Sequence, residues 1–440
     1  MKFNTCSLNV EYPVYGAQFL QNDTLLIAGG GGEGKNGIPN KLTTLKITQN
    51  ESSAIKSNND DKATSSDHHL SMKILNDFEL DAEDDSPTAL GAHSGTVLVG
   101  CNENSNKIQN GEGNKHIRKF SYDKDKFEMK FVEAIDFDKS KDPNEYTKLI
   151  DVSRDGTLGA IASSNEPTKL RILHLIDMSE TFEIESSLEI KDLQFSPNGK
   201  LICYITQNSL EMISTVTGKC VARYVNFNSN WNLSKIRFID NDALVIASSL
   251  IKGTGINMIS IGIKSGKITI TKTKCISKKF KGITSMDVDT LGQLGVISTN
   301  DNSLILVKLA NLSMGKLFKQ VHNFAITKVA ISPNSRYIAS VSAANTVNII
   351  SVPEGYATSL SKSEIAHKLF TRFIIIVILA YIFQHVVENE LHSKFLKYVM
   401  DMNERRKQVN DTQENYFIQT TLVGEHTMAE DIAPTDVANL

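Results

Sequence analysis

The clearest candidate for chemistry in this sequence is a glycine-rich stretch near the N-terminus, residues 29–35. Its spacing fits the first seven positions of the loop that binds nucleotide phosphates through backbone amides and a lysine. The eighth position of that motif holds a metal through serine or threonine, and here it is Asn36. A phosphate-binding loop also opens a helix, whereas Pro39 and a strand-like segment, residues 42–47, follow here. We therefore predict that this chain binds no nucleotide itself.

What remains is an irregular loop, residues 29–40, between two strands. Glycine adopts backbone conformations that other residues avoid. Such a loop exposes carbonyl oxygens that ligate a cation, or a small surface that enters a partner's site. A turn insertion without a role is the alternative. Ile38 and Pro39 favour a loop of defined shape.

Other catalytic signatures are missing from the sequence. His68 and His69 lie in a polar segment, and His116, His174 and His322 have no companion at metal-ligand spacing. No Gly-x-Ser-x-Gly elbow is found. The five cysteines are scattered, which indicates neither a zinc site nor a disulfide framework. We predict no covalent chemistry and no small-molecule substrate, and the formal net charge of −3 argues against nucleic acid.

Short alternating strands separated by turn clusters must position the loop. Residues 190–206 and 326–342 each give a strand, a Ser-Pro-Asn turn and a second strand. From residue 155 the unit recurs about every 40–50 residues, the period of a four-stranded propeller blade. We predict an all-β, WD-repeat-like propeller of about seven blades over residues 1–354. A six-bladed ring or an array of β-sandwiches would leave a similar pattern.

Two segments interrupt this pattern. Residues 49–71 have too few apolar side chains to form a core, so we predict a disordered surface loop. Residues 369–387 are apolar except at four positions, and a propeller has no internal slot for such a helix. We therefore predict a single transmembrane helix there. A linker, residues 355–368, would precede it and a short tail, residues 388–440, would follow.

The orientation of this helix rests on indirect signs. All five cysteines precede it, and no secretory signal peptide is seen, so we predict a cytosolic propeller. The tail would be lumenal, polar and flexible. It contains a glycosylation sequon at Asn410 but no retention signal, which leaves open how the protein would stay in the endoplasmic reticulum.

Residues 28–42, Ala-Gly-Gly-Gly-Gly-Glu-Gly-Lys-Asn-Gly-Ile-Pro-Asn-Lys-Leu, resemble a loop of a known family. The family comprises the endoplasmic-reticulum exchange factors that activate the small GTPase of the COPII coat. The resemblance covers the propeller and the single anchor. It continues through residues 85–88, 99–104, 113–116, 281–287 and 341–346. The short tail is where this sequence departs from the family.

The resemblance implies a seven-bladed propeller whose N-terminal strand completes the last blade. It implies that the loop contacts the GTPase through Ile38, Pro39 and Asn40, with Gly34, Lys35 and Gly37 as further contacts. It also implies a potassium ion held by the carbonyl oxygens of Gly34, Gly37, Ile38 and Asn40. Pro87 would be a structural support. The Asn40 amide has two open roles, a hydrogen bond within the loop or one to the partner.

The predicted function is therefore that of a guanine-nucleotide exchange factor in the membrane of the endoplasmic reticulum. It would promote GDP release from the COPII GTPase and so start coat assembly and vesicle budding. The alternative is a membrane-tethered scaffold that binds the GTPase or the coat without exchange, since a fold does not fix a function.

Overall fold

The computed structural model describes residues 1–34, 36–50, 69–264, 266–359, 362–388 and 391–425. The chain divides into two compact units, Met1–Ser359 and Leu360–Leu440. Within the described residues, the first unit contains seven antiparallel sheets of four strands each. The seven-bladed β-propeller predicted from the sequence is thus confirmed, and the six-bladed and sandwich alternatives are excluded.

The strands follow the chain from blade to blade, and each blade runs from the channel outward. Strand β1 (Asn4–Asn9) comes first and pairs in the last blade. Blades 1 to 3 comprise β2 (Val14–Gln21), β3 (Thr24–Gly29), β4 (Lys41–Asn50) and β5 (His69–Glu79); β6 (Ala89–His93), β7 (Thr96–Gly100), β8 (Ile117–Asp123) and β9 (Glu128–Ile135); and β10 (Thr147–Val152), β11 (Leu158–Ser163), β12 (Thr168–His174) and β13 (Ser179–Ser186).

The remaining blades repeat this order. Blades 4 and 5 comprise β14 (Asp192–Phe195), β15 (Leu201–Ile205), β16 (Leu210–Ser214) and β17 (Cys220–Tyr224); and β18 (Trp231–Phe238), β19 (Ala243–Leu250), β20 (Ile256–Lys264) and β21 (Lys267–Ser277). Blades 6 and 7 comprise β22 (Ile283–Val288), β23 (Leu294–Thr299), β24 (Leu304–Lys308) and β25 (Ser313–Phe318); and β26 (Ile326–Ile331), β27 (Tyr337–Ser342) and β28 (Thr346–Ser351).

The ring is closed by the N-terminal strand. β1 pairs antiparallel with β28, from Asn4 opposite Ser351 to Asn9 opposite Thr346, and becomes the outer strand of blade 7. β1 therefore covers the outer edge of β28, which would otherwise be exposed for pairing with another chain. The two ends of the propeller hold each other in place.

The hydrophobic core lies between neighbouring blades. One cluster joins Leu25 and Ile27 of blade 1 to Ala339 and Val341 of blade 7, all buried. The second strand of a blade has a neighbouring sheet on both faces, and all six residues of β3 are buried. This is why these strands read as unbroken apolar runs in the sequence.

The predicted loop at residues 49–71 was wrong at both ends. Gln49 and Asn50 belong to β4, and residues 69–71 belong to β5, with Asn50 opposite His69. An outer hairpin needs backbone pairing more than apolar side chains, so its polar composition hid it. Residues 51–68 lie outside the described residues.

The histidine between β25 and β26 shows how a loop is fixed to its blade. His322 is 5% exposed, and its ring nitrogens lie 2.6 Å from Thr346 Oγ1 and 2.8 Å from Ser340 Oγ. Burial lowers the pKa of His322 to about 4, from an ordinary value of 6.5. The ring is therefore held neutral and shares its hydrogen bonds with two hydroxyl groups.

This histidine predicts a loss of stability in acid. Its folded-state pKa is depressed, so its contribution is fully present above pH 6.5 and is lost as the pH falls toward 4. The loss is about 3 kcal/mol at most. We expect the difference in melting temperature between pH 7 and pH 4.5 to shrink in His322→Gln, which retains a donor and an acceptor but does not titrate. An unchanged difference would assign the acid sensitivity to other groups.

Three helices complete the described structure. α1 (Ser105–Asn110) is a short helix in the connection between β7 and β8, and the second unit contains α2 (Lys362–Glu388) and α3 (Leu391–Glu425). Among the described residues, one helix is long and apolar enough to span a membrane: residues Ile365–Val386 of α2, with a mean hydropathy of 2.0 and no burial inside the protein. Twenty-two residues rise about 33 Å, which matches a hydrocarbon core of about 30 Å.

The second unit differs from the expectation at both sides of the apolar segment. α2 begins at Lys362, inside the predicted linker, because the helix continues through the flanking polar residues. The predicted flexible tail is instead helical over Leu391–Glu425. This stretch contains no proline and only one glycine, Gly424, and it is rich in good helix formers. The polarity that suggested a flexible tail is that of a solvated helix.

Candidate partner-binding site

The glycine-rich loop occupies one face of the propeller. Residues 30–40 connect β3 to β4, and residues 80–88 and 101–116 of the neighbouring connections lie on the same face. We call this the loop face. β3 is the second strand of its blade and ends at the loop face. β28 is the third strand of its blade, runs in the opposite direction and ends at the other face. The loop is therefore presented on the side away from the end of the last strand.

Asn40 is the centre of the hydrogen bonding that shapes the loop. It is 1% exposed, and its Oδ1 accepts a hydrogen bond from Gly32 N at 3.0 Å. Its Nδ2 donates to the carbonyl oxygen of Asp84 at 2.8 Å, and its own carbonyl accepts from Leu80 N at 2.8 Å. Of the two roles left open by the sequence, the structure shows the hydrogen bond within the protein.

Gly30 makes room for this asparagine. A Cβ built on Gly30 would overlap Asn40 Oδ1 and lie 2.5 Å from Asn40 Cα. Real Cβ atoms do not approach that closely, so any larger residue at position 30 would displace the asparagine. The burial of Asn40 therefore requires a glycine at position 30.

Asn36 stabilises the tip of the loop through two side-chain hydrogen bonds. Its Nδ2 donates to Gly31 O at 2.9 Å, and its Oδ1 accepts from Ile38 N at 2.9 Å. A Cβ on Gly31 would lie 2.6 Å from Asn36 Oδ1. In the sequence, Asn36 only excluded a phosphate-binding loop. The structural signal was present as an asparagine among glycines, which favours a turn through its side chain.

Two contacts from blade 2 hold the loop, and sequence reasoning missed both. Glu33 Oε2 accepts a hydrogen bond from Ser105 N, the first residue of α1, at 2.7 Å. Asp84, whose carbonyl holds Asn40, forms a buried ion pair with Arg118 at 2.6 Å. These partners lie 72 and 34 residues apart in sequence. No local pattern indicates such pairs.

The connection that contains Pro87 is bound tightly to blade 2. Asp85 N donates to Asn102 O at 3.0 Å, and Thr88 N donates to Gly100 O at 2.8 Å. Pro87 between them is buried and has no N–H that needs a partner. This placement is compatible with a supporting role, which stays a prediction.

The exposed residues of the loop are those available to a partner. Gly34, Gly37 and Pro39 are exposed, and Ile38 is half-buried against the core between blades 7 and 1. Gly37 has a φ of +76°, and a Cβ added there would meet none of the described residues within 4 Å apart from its chain neighbours. Lys35 lies outside the described residues. The contact of this loop with a GTPase stays a prediction.

The carbonyl oxygens proposed to hold a cation retain acceptor capacity, and the bound cation stays a prediction. Within the described residues, the carbonyls of Gly37 and Ile38 accept no hydrogen bond. Those of Gly34 and Asn40 each accept one, which leaves a second lone pair. Burial raises the pKa of the nearby Asp85 carboxyl, and the Glu33 carboxylate adds to this effect. Oxygen donors of this kind suit a hard cation.

Other metal centres are not supported. In the ranges that the structure describes, no group of three or more histidine, cysteine, aspartate or glutamate side chains is arranged to hold a metal ion. Asn410 lies in α3, and the hydroxyl of Thr412 in the same sequon donates to Gln408 O. Glycosylation of Asn410 stays a prediction.

The channel at the centre of the ring contains charged side chains that link the blades. Asp192 of β14 accepts from Ile236 N of β18 at 2.9 Å and pairs with Arg237 Nη1 at 2.7 Å. Asp151 accepts from Phe195 N at 2.8 Å, and Asp287 accepts from Ile331 N at 2.7 Å. Each bond joins the inner strands of adjacent blades, so this network is structural.

Comparison with known proteins points to one family. Residues 315–351 match the model of the WD domain, G-beta repeat. The chain is 46% identical over 398 residues to guanine nucleotide-exchange factor SEC12 of Candida glabrata, covering 90% of this chain and 83% of that protein.

More distant relatives carry a different name. The chain is 41% identical over 389 residues to SED4 of Candida glabrata, and 36% identical over 444 residues to SED4 of Saccharomyces cerevisiae. These matches cover 88% and 100% of this chain but only 36% and 40% of the relatives. Their names assign guanine-nucleotide exchange only provisionally.

Proposed function

The chain belongs to the SEC12 family of guanine nucleotide-exchange factors, and we propose that it promotes GDP release from the small GTPase of the COPII coat. The observation that carries the proposal is the loop at residues 30–40. The hydrogen bonds of the buried Asn40 side chain fix its backbone, and Gly34, Gly37 and Pro39 are exposed to solvent. The exchange would take place at the endoplasmic reticulum and start coat assembly.

An exchange factor makes and breaks no covalent bond. It binds the nucleotide-free GTPase more tightly than the loaded one. By thermodynamic linkage it must then weaken GDP binding by the same factor. The chain therefore needs a surface that fits one state of the partner and not the other.

The loop is suited to this task because it is shaped before the partner arrives. A loop that is ordered in advance loses less conformational freedom on binding, so more of the contact energy is left to distort the partner. We infer that its exposed residues displace the segments of the GTPase that hold phosphate and Mg²⁺. Buried Asn40 acts through the loop rather than by direct contact.

A potassium ion would be held by the carbonyl oxygens of Gly34, Gly37, Ile38 and Asn40 and would neutralise the charge of nearby carboxylates. With these four carbonyl oxygens bound to the ion, the loop would keep its exposed turn in one conformation. The apolar segment of α2 would anchor the protein as a single-pass protein of the endoplasmic reticulum membrane, with a cytosolic propeller and a lumenal C-terminal segment.

The test is GDP release from the COPII GTPase loaded with fluorescent GDP, measured with full-length protein in uncharged detergent. We expect acceleration of about 10-fold or more in potassium buffer. Slower exchange in sodium buffer would support the cation, and equal rates in both salts would contradict it. Binding of the GTPase without faster release would favour the scaffold alternative.

A further inference from the structure

The loop face carries a second feature besides the glycine-rich loop at residues 30–40, which we call the exchange loop. This feature is a group of exposed lysines. Lys252 lies in the connection between β19 and β20, and Lys278, Lys279 and Lys281 lie in the connection between β21 and β22. All four side chains are exposed. We call these four residues the lysine cluster.

The lysine cluster is held on a fixed backbone. Thr254 Oγ1 donates to Lys278 O at 2.7 Å, and Gly255 N donates to Phe280 O at 2.9 Å, so the two connections are joined. Phe280, between the lysines, is buried with 7% exposure. The Asn230 side chain also fixes the backbone of Lys252. Its Oδ1 accepts a hydrogen bond from Lys252 N at 2.9 Å, and its Nδ2 donates one to Lys252 O at 3.3 Å.

The charges of the cluster are uncompensated. Within the described residues, none of the four ammonium groups has a carboxylate within ion-pair distance. Residues 251–255 and 278–282 contain four lysines and no acid. Residues 30–40, 80–88 and 101–116, around the exchange loop, contain seven acids and three lysines. The loop face is thus polarised, although the whole chain has a formal charge of only −3.

We propose that the lysine cluster is a docking surface for an acidic patch on the GTPase, which it orients over the exchange loop. This inference rests on the proposed function. A protein partner is favoured over a lipid surface because the lysine cluster lies on the same face as the exchange loop, where the GTPase would bind. A globular partner of about 200 residues is about 40 Å across, wide enough to extend from the exchange loop over the channel mouth.

The expected contribution is to the rate of encounter. Exposed charges raise association rates by about 10- to 1000-fold when they match the partner, and the effect falls with ionic strength. At about 0.1 M salt the screening length is about 10 Å, so the attraction acts before contact. Rim charges of this kind alter the association rate more than the dissociation rate.

The experiment is a charge reversal, Lys252→Glu with Lys278→Glu, Lys279→Glu and Lys281→Glu, in full-length protein in uncharged detergent. The matched control reverses four exposed lysines of blades 4 and 5 on the opposite face: Lys200, Lys219, Lys264 and Lys267. Both variants change the net charge equally. Melting temperatures verify folding, and a glutamine series at the cluster provides a milder second variant.

The association rate with the GTPase is measured at ionic strengths of about 0.02 M and about 0.5 M. We expect the cluster variant to associate about 10-fold more slowly at low salt, the difference to vanish at high salt, and the control to match wild type. Equal rates for both variants, or no association by the wild-type chain, would overturn the proposal. So would cluster-dependent binding to anionic vesicles in place of the GTPase.

The two proposals fail in distinguishable ways. If the wild-type chain associates with the GTPase in a cluster-dependent manner but does not accelerate GDP release, exchange is wrong and the docking surface stands. If GDP release is accelerated equally by wild type and the cluster variant at low salt, exchange stands and the docking surface is wrong.

Discussion

Replacing Asn40 with alanine should lower the rate of GDP release by about 100-fold while the propeller remains folded. The change leaves Gly32 N and Asp84 O without their present partners. Each unpaired buried group costs about 1–3 kcal/mol, which the loop avoids by moving its backbone toward water. A shift of about 1 Å in a positioning loop is enough for a 100-fold loss. Stability of the ring should change little, because Asn40 lies outside the cores between blades.

The control separates the role of this buried amide from a general effect of losing an asparagine. Asn226 is an exposed asparagine in the connection between β17 and β18, on the same face, and its side chain makes no hydrogen bond within the described residues. Asn226→Ala should exchange at the wild-type rate. Wild-type exchange by Asn40→Ala with an unchanged melting temperature would remove Asn40 from the mechanism.

The sequence predicted the ring and the loop but not what holds the loop. Blade periodicity and the glycine run are local patterns, and both can be read from neighbouring residues. The supports of the loop come from blade 2: Ser105 for Glu33, and Arg118 for Asp84. Only the closed ring places them side by side. The same limit explains Asn40, which reads as a polar loop residue and is buried because residues 80–88 cover it.

Polar composition was the other source of error. The ends of β4 and β5 and the whole of α3 contain polar residues that suggested disorder. Backbone hydrogen bonding between strands and intrinsic helix propensity do not require an apolar face. For α2, by contrast, composition led to the correct prediction. Its run of apolar residues indicated a helix long enough to span a membrane.

Replacing Arg237 with methionine should destabilise the propeller by about 3–5 kcal/mol, because it removes one partner of a buried ion pair. Burial alone would raise the pKa of Asp192, but the Arg237 guanidinium 2.7 Å away holds it below its usual value. Arg237 Nε also lies 3.6 Å from Asp287, whose pKa burial raises. Without the arginine, buried Asp192 and half-buried Asp287 would lose their main compensating charge.

Arg223→Met provides the matched control for this prediction. Arg223 pairs with Glu211 at 3.1 Å, but its side chain is 63% exposed. An exposed pair contributes about 0–1 kcal/mol, so the control should melt close to wild type. Adding Asp192→Asn to Arg237→Met should restore part of the loss, because the neutral amide still accepts from Ile236 N and no longer needs a counter-charge. Equal destabilisation by the two arginine variants would show that the channel pair is no more valuable to the ring than a surface contact.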